Sequence, residues 1–390
     1  MKVCVVGLRG FPGVIGGVET HCEQLYPRLA AADEALDITV IARSPYVREK
    51  RRVGGVSVVP VWTIRNKYFE AVIHTLLAVV YARLRVNAKV LHIHGIGPAL
   101  FTPLARMLGM RVVVTHHGAD YNRSKWNVIA REVLRFGELM SVLFANRVIV
   151  VGESLCSALR KDHPVFADKI IHVPNGAILP KVDEGGENST VLSELGLTEG
   201  QYVLSVGRLV PEKGFHDLIT AHEGANDNSK LVIVGDATHA DKHVSELLAR
   251  GSSNVIFAGF RQGRDLVELY QNARMFVLPS YHEGLPISAL EAMSAGAPVL
   301  LSDIDPNRDM GLPQEAYFPV GDTQALADRL SASAVSLGRA AYDEIMKKFA
   351  WDRVAARTLA LYEGLASAPA AATASDGFAD GAGRDAQEAA

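Results

Sequence analysis

Short runs of apolar residues alternate along the chain with segments of helical periodicity. Strands that are apolar throughout and separated by helices are typical of a parallel sheet covered on both faces. The alternation therefore predicts an α/β fold made of doubly wound parallel sheets. The runs are KVCVVG, DITVIAR, VSVVPVW, KVLHIHG, RVVVTHHG and RVIVVGE in the first half, and YVLSVG, KLVIVG, NVIFAG, MFVLPS and APVLLS in the second.

The length of the chain and a break in this alternation predict two domains. The 390 residues exceed the roughly 250–300 that one core usually serves. We assign residues 1–178, joined by a terminal helix at about 351–366, to an N-terminal domain and residues 195–350 to a C-terminal domain. The polar segment PKVDEGGENST is the predicted linker, and the small polar residues 367–390 predict a disordered tail. Two such domains facing each other predict a cleft lined by strand ends.

Charge is distributed unevenly between the two halves. Residues 1–178 hold 23 Lys and Arg against 13 Asp and Glu, whereas the remainder holds 17 against 30. Basic residues concentrate in Arg43 to Arg52, followed by Arg65, Lys67 and an apolar helix to about Arg85. One interpretation is a solvated basic loop, and the other is a patch that rests on an anionic membrane surface. A nucleic-acid partner is not predicted, because no basic motif interleaved with aromatic residues is present.

Cysteine usage and the N-terminal residues predict a cytoplasmic location. Cys4, Cys22 and Cys156 are too few and too widely spaced for a disulfide framework or a cysteine metal site. The opening MKVCVVGLRG predicts a strand and not a signal peptide. The longest apolar segment, AVIHTLLAVVYARL, is shorter than the roughly 20 residues that span a bilayer. Any membrane association is therefore expected to be peripheral.

Two strand-end loops carry features that suit a phosphate. In GLRGFPGVIGGVET, Gly16 and Gly17 precede a helix, and glycines let a ligand approach the free N–H groups of a helix start. The spacing is not the dinucleotide fingerprint, and a glycine turn without a ligand remains an alternative. In SVGRLVPEKG, Arg208 and Lys213 could clamp a pyrophosphate, or they could be ordinary charges of an exposed loop.

The segment YHEGLPISALEAMSAGAPVL sets two carboxylates around a predicted helix start. Pro286 predicts the start of the helix and Gly296 its end, which places Glu283 on the preceding loop and Glu291 within the helix. A phosphate held by the first N–H groups would then have a carboxylate on each side. Because carboxylates accept hydrogen bonds from hydroxyls, the pair suits the sugar and the ribose of a nucleotide sugar. Chance occurrence of two glutamates at this spacing is the alternative.

Four histidines occupy two strand ends. His92 and His94 point to one face of a strand, and His116 and His117 end the following strand. Such spacing can supply a zinc site, but no thiolate or carboxylate ligand is evident nearby. We interpret His92 and His116 as hydrogen-bonded cleft or core residues.

Several motifs together resemble a known family. The motifs GGVET, PNG at 174–176, VGRLVPEKG and HEGLPISALEAMSAGAPVL resemble, in this order, glycosyltransferases of family 4 with the two-domain GT-B fold. The similarity extends to about Ser367. The segments VVGLRGFPGVIGGVETHCEQLYPRL and HHGADYNRSKW are further similar to a bacterial subgroup that builds surface polysaccharides, including rhamnosyl- and mannosyltransferases. That subgroup often has Glu-Trp where this chain has Asp120 and Tyr121.

The resemblance implies a reaction and a set of roles. It implies retaining transfer of a hexose or deoxyhexose from a nucleotide-diphosphate sugar to a lipid-linked or polysaccharide acceptor, without cofactor or metal. A nucleotide-sugar epimerase and a non-catalytic nucleotide-sugar-binding subunit remain alternatives. The implied catalytic residues are His117, Arg208, Lys213 and Glu283; the donor site adds Gly16, Gly17, Gly207, Gly284, Leu285, Pro286 and Glu291; the acceptor site holds Asp120, Tyr121 and Arg123.

Overall fold

A computed structural model describes residues 1–66, 69–123, 126–177, 190–225, 228–236, 242–332 and 337–367. The described residues form two sheets, each covered by helices, so the predicted α/β fold with two doubly wound parallel sheets is confirmed. Residues 180–189 of the predicted linker and residues 368–390 of the predicted tail 367–390 lie outside the described residues, and Ser367 ends the last helix.

The first sheet contains eight described strands. They are β1 (Lys2–Val6), β2 (Asp37–Arg43), β3 (Arg51–Val53), β4 (Val56–Val61), β5 (Val90–His94), β6 (Arg111–His116), β7 (Arg147–Val150) and β8 (Ile170–His172). Their order across the sheet is β3-β4-β2-β1-β5-β6-β7-β8. In β1, Val3 pairs with Ile38 of β2 on one side and with Val90 of β5 on the other.

One edge of this sheet departs from the prediction. Arg51 and Arg52, predicted to lie in a basic loop, belong to β3, which pairs antiparallel with β4. Gly54 and Gly55 connect the two strands with φ of 53° and 84°. Two residues with positive φ form the tight turn that fits the twist of a hairpin, and glycine adopts them without a steric penalty. The double glycine was the signal for this hairpin.

The second sheet is parallel throughout its described strands. These are β9 (Tyr202–Val206), β10 (Lys230–Val234), β11 (Val255–Gly259), β12 (Met275–Leu278), β13 (Val299–Ser302) and β14 (Tyr317–Phe318). Their order is β11-β10-β9-β12-β13-β14. In both sheets the strand order reverses beside the first strand, between β1 and β5 and between β9 and β12. The crevice beyond the carboxyl ends at such a reversal is the usual ligand site of an open α/β sheet.

The helices cover both faces of both sheets. They are α1 (Gly17–Ala32), α2 (Glu70–Tyr81), α3 (Thr102–Met107), α4 (Val128–Phe144), α5 (Glu153–Asp162), α6 (Val191–Glu194), α7 (Phe215–Gly224), α8 (Lys242–Leu248), α9 (Gly263–Gln271), α10 (Ile287–Ala295), α11 (Asp305–Arg308), α12 (Thr323–Ser331), α13 (Arg339–Met346) and α14 (Trp351–Ser367).

Two helices show how local sequence sets the boundaries. In α1, Cys22, Leu25 and Leu29 recur at intervals of three and four residues and are buried, because they lie on the face turned to the sheet. Helix α10 starts immediately after Pro286 and ends at Gly296, whose φ is 83°. This confirms the predicted start and end, because glycine adopts the left-handed conformation that closes a helix.

The C-terminal helix returns to the first sheet. Helix α14 packs against α1, and Trp351, Val354 and Tyr362 belong to the same buried core as β1 and β2. Gly176 lies against the Trp351 ring, since a Cβ there would be 2.3 Å from Cδ2 of that side chain. The chain therefore passes from the first sheet to the second and back again.

A substitution at Gly7, which follows β1, can test how closely the strand ends are packed. Its φ is 98°, and an added Cβ would lie 2.2 Å from the carbonyl oxygen of His94. We expect Gly7→Ala to lower the free energy of unfolding by about 2–3 kcal/mol, because it adds both strain and a backbone clash. Urea denaturation followed by circular dichroism measures the change.

Gly364→Ala is the matched control. It lies within α14, where the described part of the chain places no neighbouring atom within 4 Å of the added carbon. Alanine should leave stability unchanged or raise it by up to about 1 kcal/mol. Equal effects of the two substitutions would contradict the packing argument.

Candidate active site

Two backbone loops, one from each sheet, touch at the carboxyl ends of β6 and β12. A Cβ on Gly284 would lie 1.8 Å from the carbonyl oxygen of His117, and one on Gly118 would lie 3.1 Å from the Cα of Gly284. Only glycine fits at such distances, so the sequence permits an approach that side chains would prevent. The contact brings the predicted residues His117 and Glu283 to one place, although they belong to different sheets.

Lys213 and Glu283 form an ion pair beside this contact. The Nζ of Lys213 lies 2.5 Å from Oε1 of Glu283, and Ser280 donates its hydroxyl to the same oxygen at 2.6 Å. The two side chains are only 15% and 10% exposed. Gly207 leaves room for the lysine stem, because a Cβ there would lie 3.4 Å from Cδ and Cε of Lys213. The lysine therefore neutralises the carboxylate.

Arg208 lies near two other arginines and forms no ion pair with a described carboxylate. Burial lowers the pKa of Arg208, the charges of Arg123 and Arg9 lower it further, and the charges of Glu19 and Glu212 oppose the shift. Arg9 is paired with Glu19 at 3.0 Å, and Arg123 is paired with Asp120 at 2.6 Å. Within the described ranges, no carboxylate oxygen lies within 4.0 Å of the Arg208 guanidinium. A desolvated cation among like charges favours binding of an anion.

The start of α1 lies beside this cluster. A Cβ on Gly16 would lie 2.1 Å from Oε2 of Glu19 and 2.5 Å from Nη2 of Arg9, so glycine makes room for that ion pair. Around Gly17, by contrast, the described residues leave the Cβ position without a neighbour within 4 Å. Of the two predicted glycines, Gly17 therefore borders open space at the helix start. Sequence reasoning missed Arg9 and Glu19, although an arginine inside a glycine-rich strand-end loop was an available signal.

The start of α10 contacts the first sheet through its predicted residues. Leu285 and Pro286 are buried, and the carbonyl oxygen of Leu285 accepts a hydrogen bond from Nδ2 of Asn175 at 2.7 Å. Oδ1 of Asn175 is in turn hydrogen-bonded to Nδ1 of His21 at 2.9 Å. Asn175 therefore links α1 of the first sheet to the start of α10. The sequence contained this residue in the PNG motif without indicating its partners.

Glu291 lies one turn further along α10. The hydroxyl of Tyr270 donates to Oε2 of Glu291 at 3.1 Å. Burial raises the pKa of Glu291 to about 7, and this hydrogen bond opposes the shift. The carboxyl is therefore poised to change its charge near neutral pH when its surroundings change.

The strand-end histidines form a buried hydrogen-bonded chain. Nε2 of His117 lies 2.9 Å from Nδ1 of His94, whose Nε2 lies 2.5 Å from the hydroxyl of Tyr26. That hydroxyl also contacts His92 at 3.0 Å. Burial and the neighbouring His21 lower the pKa of His117 well below its usual value, so the imidazole is neutral at pH 7. A neutral imidazole can both donate and accept hydrogen bonds.

Three of these rings also approach one another closely enough to hold a metal ion. Nitrogens of His21, His94 and His117 all lie within 4.8 Å of one another. Two of them face each other in the His94–His117 hydrogen bond. His92 and His116 lie outside this trio: His92 is hydrogen-bonded to Thr115, and His116 lies 2.6 Å from Glu138.

The predicted acceptor residues are divided between two environments. Asp120 and Arg123 form their ion pair near Glu212, which lies 3.8 Å from Nε of Arg123. Tyr121 faces the other way, with the guanidinium of Arg135 5.4 Å from its ring centroid. Burial and the charge of Glu138 raise the pKa of Tyr121 to about 12. The structure therefore groups Asp120 and Arg123 with the cations and leaves Tyr121 against α4.

Two family models match successive parts of the chain. Residues 15–179 match Glycosyltransferase Family 4, and residues 193–333 match Glycosyl transferases group 1. An uncharacterized glycosyltransferase of Methanocaldococcus jannaschii is 24% identical over 389 residues, covering 93% of this chain and 98% of the relative.

Two further proteins are similar over different extents. A Campylobacter jejuni N,N'-diacetylbacillosaminyl-diphospho-undecaprenol alpha-1,3-N-acetylgalactosaminyltransferase is 30% identical over 171 residues, covering 43% of this chain and 44% of the relative. The structure of sucrose-phosphate synthase from Thermosynechococcus elongatus superimposes with a TM-score of 0.78 at 21% identity, covering 93% of this chain and 98% of that one. This likeness shows that the two proteins share a fold.

The Lys213–Glu283 pair can be tested without a substrate. We expect a double-mutant cycle with Lys213→Met and Glu283→Gln to give a coupling free energy of about 1–3 kcal/mol, because each substitution leaves a poorly hydrated partner behind. Urea denaturation of the two single variants and the double variant measures it.

The exposed pair Arg250–Glu223 provides a matched control. Its atoms lie 2.6 Å apart, but the side chains are 32% and 53% exposed. The same cycle should give at most about 1 kcal/mol there. Additive effects at Lys213 and Glu283 would show that the buried pair is not coupled.

Proposed function

Because this chain is a glycosyltransferase of the GT-B fold, with a family 4 domain followed by a group 1 domain, we propose that it transfers a hexose or deoxyhexose from a nucleotide-diphosphate sugar to a lipid-linked or polysaccharide acceptor. The observation that carries the donor assignment is Arg208, a largely buried cation without a carboxylate partner among the described residues. It lies where the strand-end loops of both sheets converge. A diphosphate bound there would need a cation to offset its negative charge.

In the proposed donor site, the diphosphate, the sugar and the ribose of the nucleotide sugar each contact different residues. Arg208 and Lys213 hold the diphosphate, and the first N–H groups of α10 and α1 add partial positive charge to it. The backbone from Gly284 to Pro286 contacts the sugar and its phosphate. Glu283 accepts hydrogen bonds from the hydroxyls of the sugar, and Glu291 accepts them from the ribose.

The proposed reaction proceeds with retention of anomeric configuration. The bond between the anomeric carbon and the phosphate oxygen breaks, and the acceptor hydroxyl forms a new bond to that carbon on the same face. The departing phosphate oxygen takes the proton of the acceptor hydroxyl, so no protein nucleophile is needed. Negative charge grows on the phosphate as the bond breaks, and fixed cations stabilise that charge. Lys213 and Arg208 are these cations, so the proposed mechanism requires neither metal nor cofactor.

His117 and Glu283 would position the transferred sugar. The neutral His117 imidazole borders the contact between the two loops and can hydrogen-bond a sugar hydroxyl. Glu283 is paired with Lys213 before the donor binds. A diphosphate that attracts Lys213 would free the carboxylate for the sugar. Asp120 and Arg123, next to this region, are the proposed contacts of the acceptor, with Tyr121 as a more distant member.

The acceptor and the location belong to the same proposal. The name of the Campylobacter relative specifies an acceptor on diphospho-undecaprenol, which supports a lipid-linked saccharide in bacterial surface-glycan synthesis. Across the described residues, no helix is both long and apolar enough to cross a bilayer. We place the enzyme on the cytoplasmic side, in peripheral contact with the membrane. Product analysis with donor alone separates this function from an epimerase, which would convert the donor without an acceptor.

Arg208→Ala and Glu283→Ala should have different kinetic effects. We expect Arg208→Ala to weaken binding of UDP or GDP about 10- to 100-fold, because hydrogen bonds to a charged group are lost. Glu283→Ala should lower turnover while nucleoside-diphosphate binding is largely kept. Isothermal titration and initial-rate kinetics measure the two effects.

Arg339→Ala is a suitable control, because this arginine is 57% exposed and pairs with Asp343 on the surface. It should change neither affinity nor turnover. Unchanged diphosphate affinity in Arg208→Ala would remove the clamp from the mechanism.

Glu291 should make donor binding depend on pH. Because the pKa of Glu291 is raised to about 7 and the ribose hydroxyls bind its ionised form, affinity for the nucleoside diphosphate should rise as pH increases through 7. Glu291→Gln should bind more weakly and lose this dependence between about pH 6 and 8. The exposed Glu199→Gln should behave like the unmodified chain. If affinity for the nucleoside diphosphate depended on pH in Glu291→Gln just as in the unmodified chain, the carboxylate would be excluded from the donor site.

A further inference from the structure

Helix α2 has its large apolar side chains on the outside. The residues it buries are His74, Thr75, Ala78 and Val79, which are polar or small. On the opposite side, Phe69 just before the helix is 57% exposed and Leu76 is 41% exposed. A surface helix of a soluble domain normally shows the reverse pattern, and a helix that is apolar all round is normally covered.

Helix α4 shows the same pattern. Ile129, Val133 and Phe136 are 76%, 44% and 50% exposed and recur at intervals of four and three residues, which is one helical stripe. The buried residues of this helix are Gly137, Ser141 and Val142, again small. Within the described residues, nothing covers the stripe.

Both stripes belong to one side of the first domain. Ala78 of α2 and Val142 of α4 lie in the same buried core, and both helices contact the segment Pro98–Phe101 between them. We call the outer surface of this layer the apolar face, defined by Phe69, Leu76, Leu84, Ile129, Val133 and Phe136. Large apolar side chains exposed together on one side of a domain mark an interaction site.

The charges around the apolar face suit an anionic surface. Arg65, four residues before Phe69, and Arg85, just beyond α2, are exposed and have no carboxylate partner among the described residues. The carboxylates of the two helices are all paired: Glu70 with Arg43, Glu132 with Arg135, and Glu138 with His116. Apolar side chains flanked by free arginines are the pattern of helices that lie in a membrane interface.

The position of the face relates it to the candidate active site. Helix α2 follows β4, and α4 follows the loop that carries His117 and Arg123, so both helices begin at the carboxyl edge of the sheet. Phe69 and Ile129, both largely exposed, lie at these helix starts, whereas Leu84 lies beyond the far end of α2. A bilayer against this face would border the edge where the strand-end loops meet.

We propose that the apolar face binds a bilayer containing anionic phospholipid, with its large side chains in the acyl boundary and its arginines at the headgroups. Only one part of this proposal rests on the proposed function: the bilayer would present the lipid-linked acceptor to the strand-end loops. The contact shares α2 with the patch suggested by sequence but does not include its segment Arg43 to Arg52. There Arg43 pairs with Glu70, and Arg51 donates to the carbonyl oxygens of Phe11 and Pro12; Lys67 lies outside the described residues.

Vesicle sedimentation of the full chain tests the proposal. The probe is unilamellar vesicles of phosphatidylglycerol and phosphatidylcholine, compared with phosphatidylcholine alone. We expect stronger binding to the anionic vesicles and a loss of about tenfold or more in the variant Ile129→Glu with Phe136→Glu. The matched control is Val165→Glu with Leu248→Glu, at positions 88% and 45% exposed and outside the apolar face. It should bind like the unmodified chain, as should Arg48→Glu with Arg52→Glu to within about threefold.

Further measurements separate the possible outcomes. Far-UV circular dichroism and the unfolding midpoint should be the same in all variants, which shows that they are folded without relying on the proposed donor site. UDP or GDP binding is measured separately, so failure of the donor site and failure of vesicle binding are told apart. Equal vesicle binding by the Ile129→Glu, Phe136→Glu variant and the unmodified chain would overturn the proposal. Light scattering that shows a dimer of the unmodified chain, lost in that variant, would instead assign the face to a second copy of the chain.

Discussion

The contact between Gly118 and Gly284 sets the geometry of the whole site. It joins the strand ends of the two sheets through backbone atoms at a separation that excludes a Cβ. The interaction itself is short-ranged and carries no charge, but it fixes which side chains meet. His117 comes from one side and Glu283 from the other, and Asn175 reinforces the junction by binding Leu285. The Arg123–Glu212 approach depends on this contact, whereas the Lys213–Glu283 and Arg9–Glu19 pairs each form within the loops of one sheet.

Charge at the junction is balanced in number but not in pairing. Four cations, Arg9, Arg123, Arg208 and Lys213, lie among four carboxylates, Glu19, Asp120, Glu212 and Glu283. Arg9, Arg123 and Lys213 each have a carboxylate partner, and these ion pairs make partial burial of the side chains tolerable. Arg208 lacks a carboxylate within 4.0 Å among the described residues, and the fourth carboxylate, Glu212, lies 3.8 Å from Nε of Arg123. His94 and His117 contribute hydrogen bonds and no net charge, because burial keeps them neutral. Among the described cations of the site, Arg208 is therefore the one whose guanidinium holds no direct ion pair.

The first domain carries two surfaces with different chemistry. Its strand-end edge is polar and rich in arginine, whereas the outer side of α2 and α4 is apolar. The two surfaces adjoin because helices of an α/β unit begin where strands end. The same topology that concentrates ligand-binding loops at one edge therefore also brings helix starts with exposed Phe69 and Ile129 to that edge. A donor from solution and an acceptor from a membrane would approach by separate routes.

The sequence by itself determined the features that depend on neighbouring residues. Apolar runs predicted both sheets, and Pro286 and Gly296 predicted the bounds of α10, because a few adjacent residues fix φ, ψ and burial. The sequence also placed Lys213 and Glu283 at strand ends on the same sheet, and so suggested that they serve one ligand.

Only the tertiary structure decided which side chains are partners. Lys213 and Glu283 are 70 residues apart, and His21 and Asn175 are 154 apart. Neither composition nor periodicity specifies a contact at such separation, because it depends on where each loop leaves its sheet. For the same reason Arg9 was missed, Tyr121 turned toward α4, and Arg51 became part of an edge strand. Local patterns encode the elements, and the packing of one element on another creates the site.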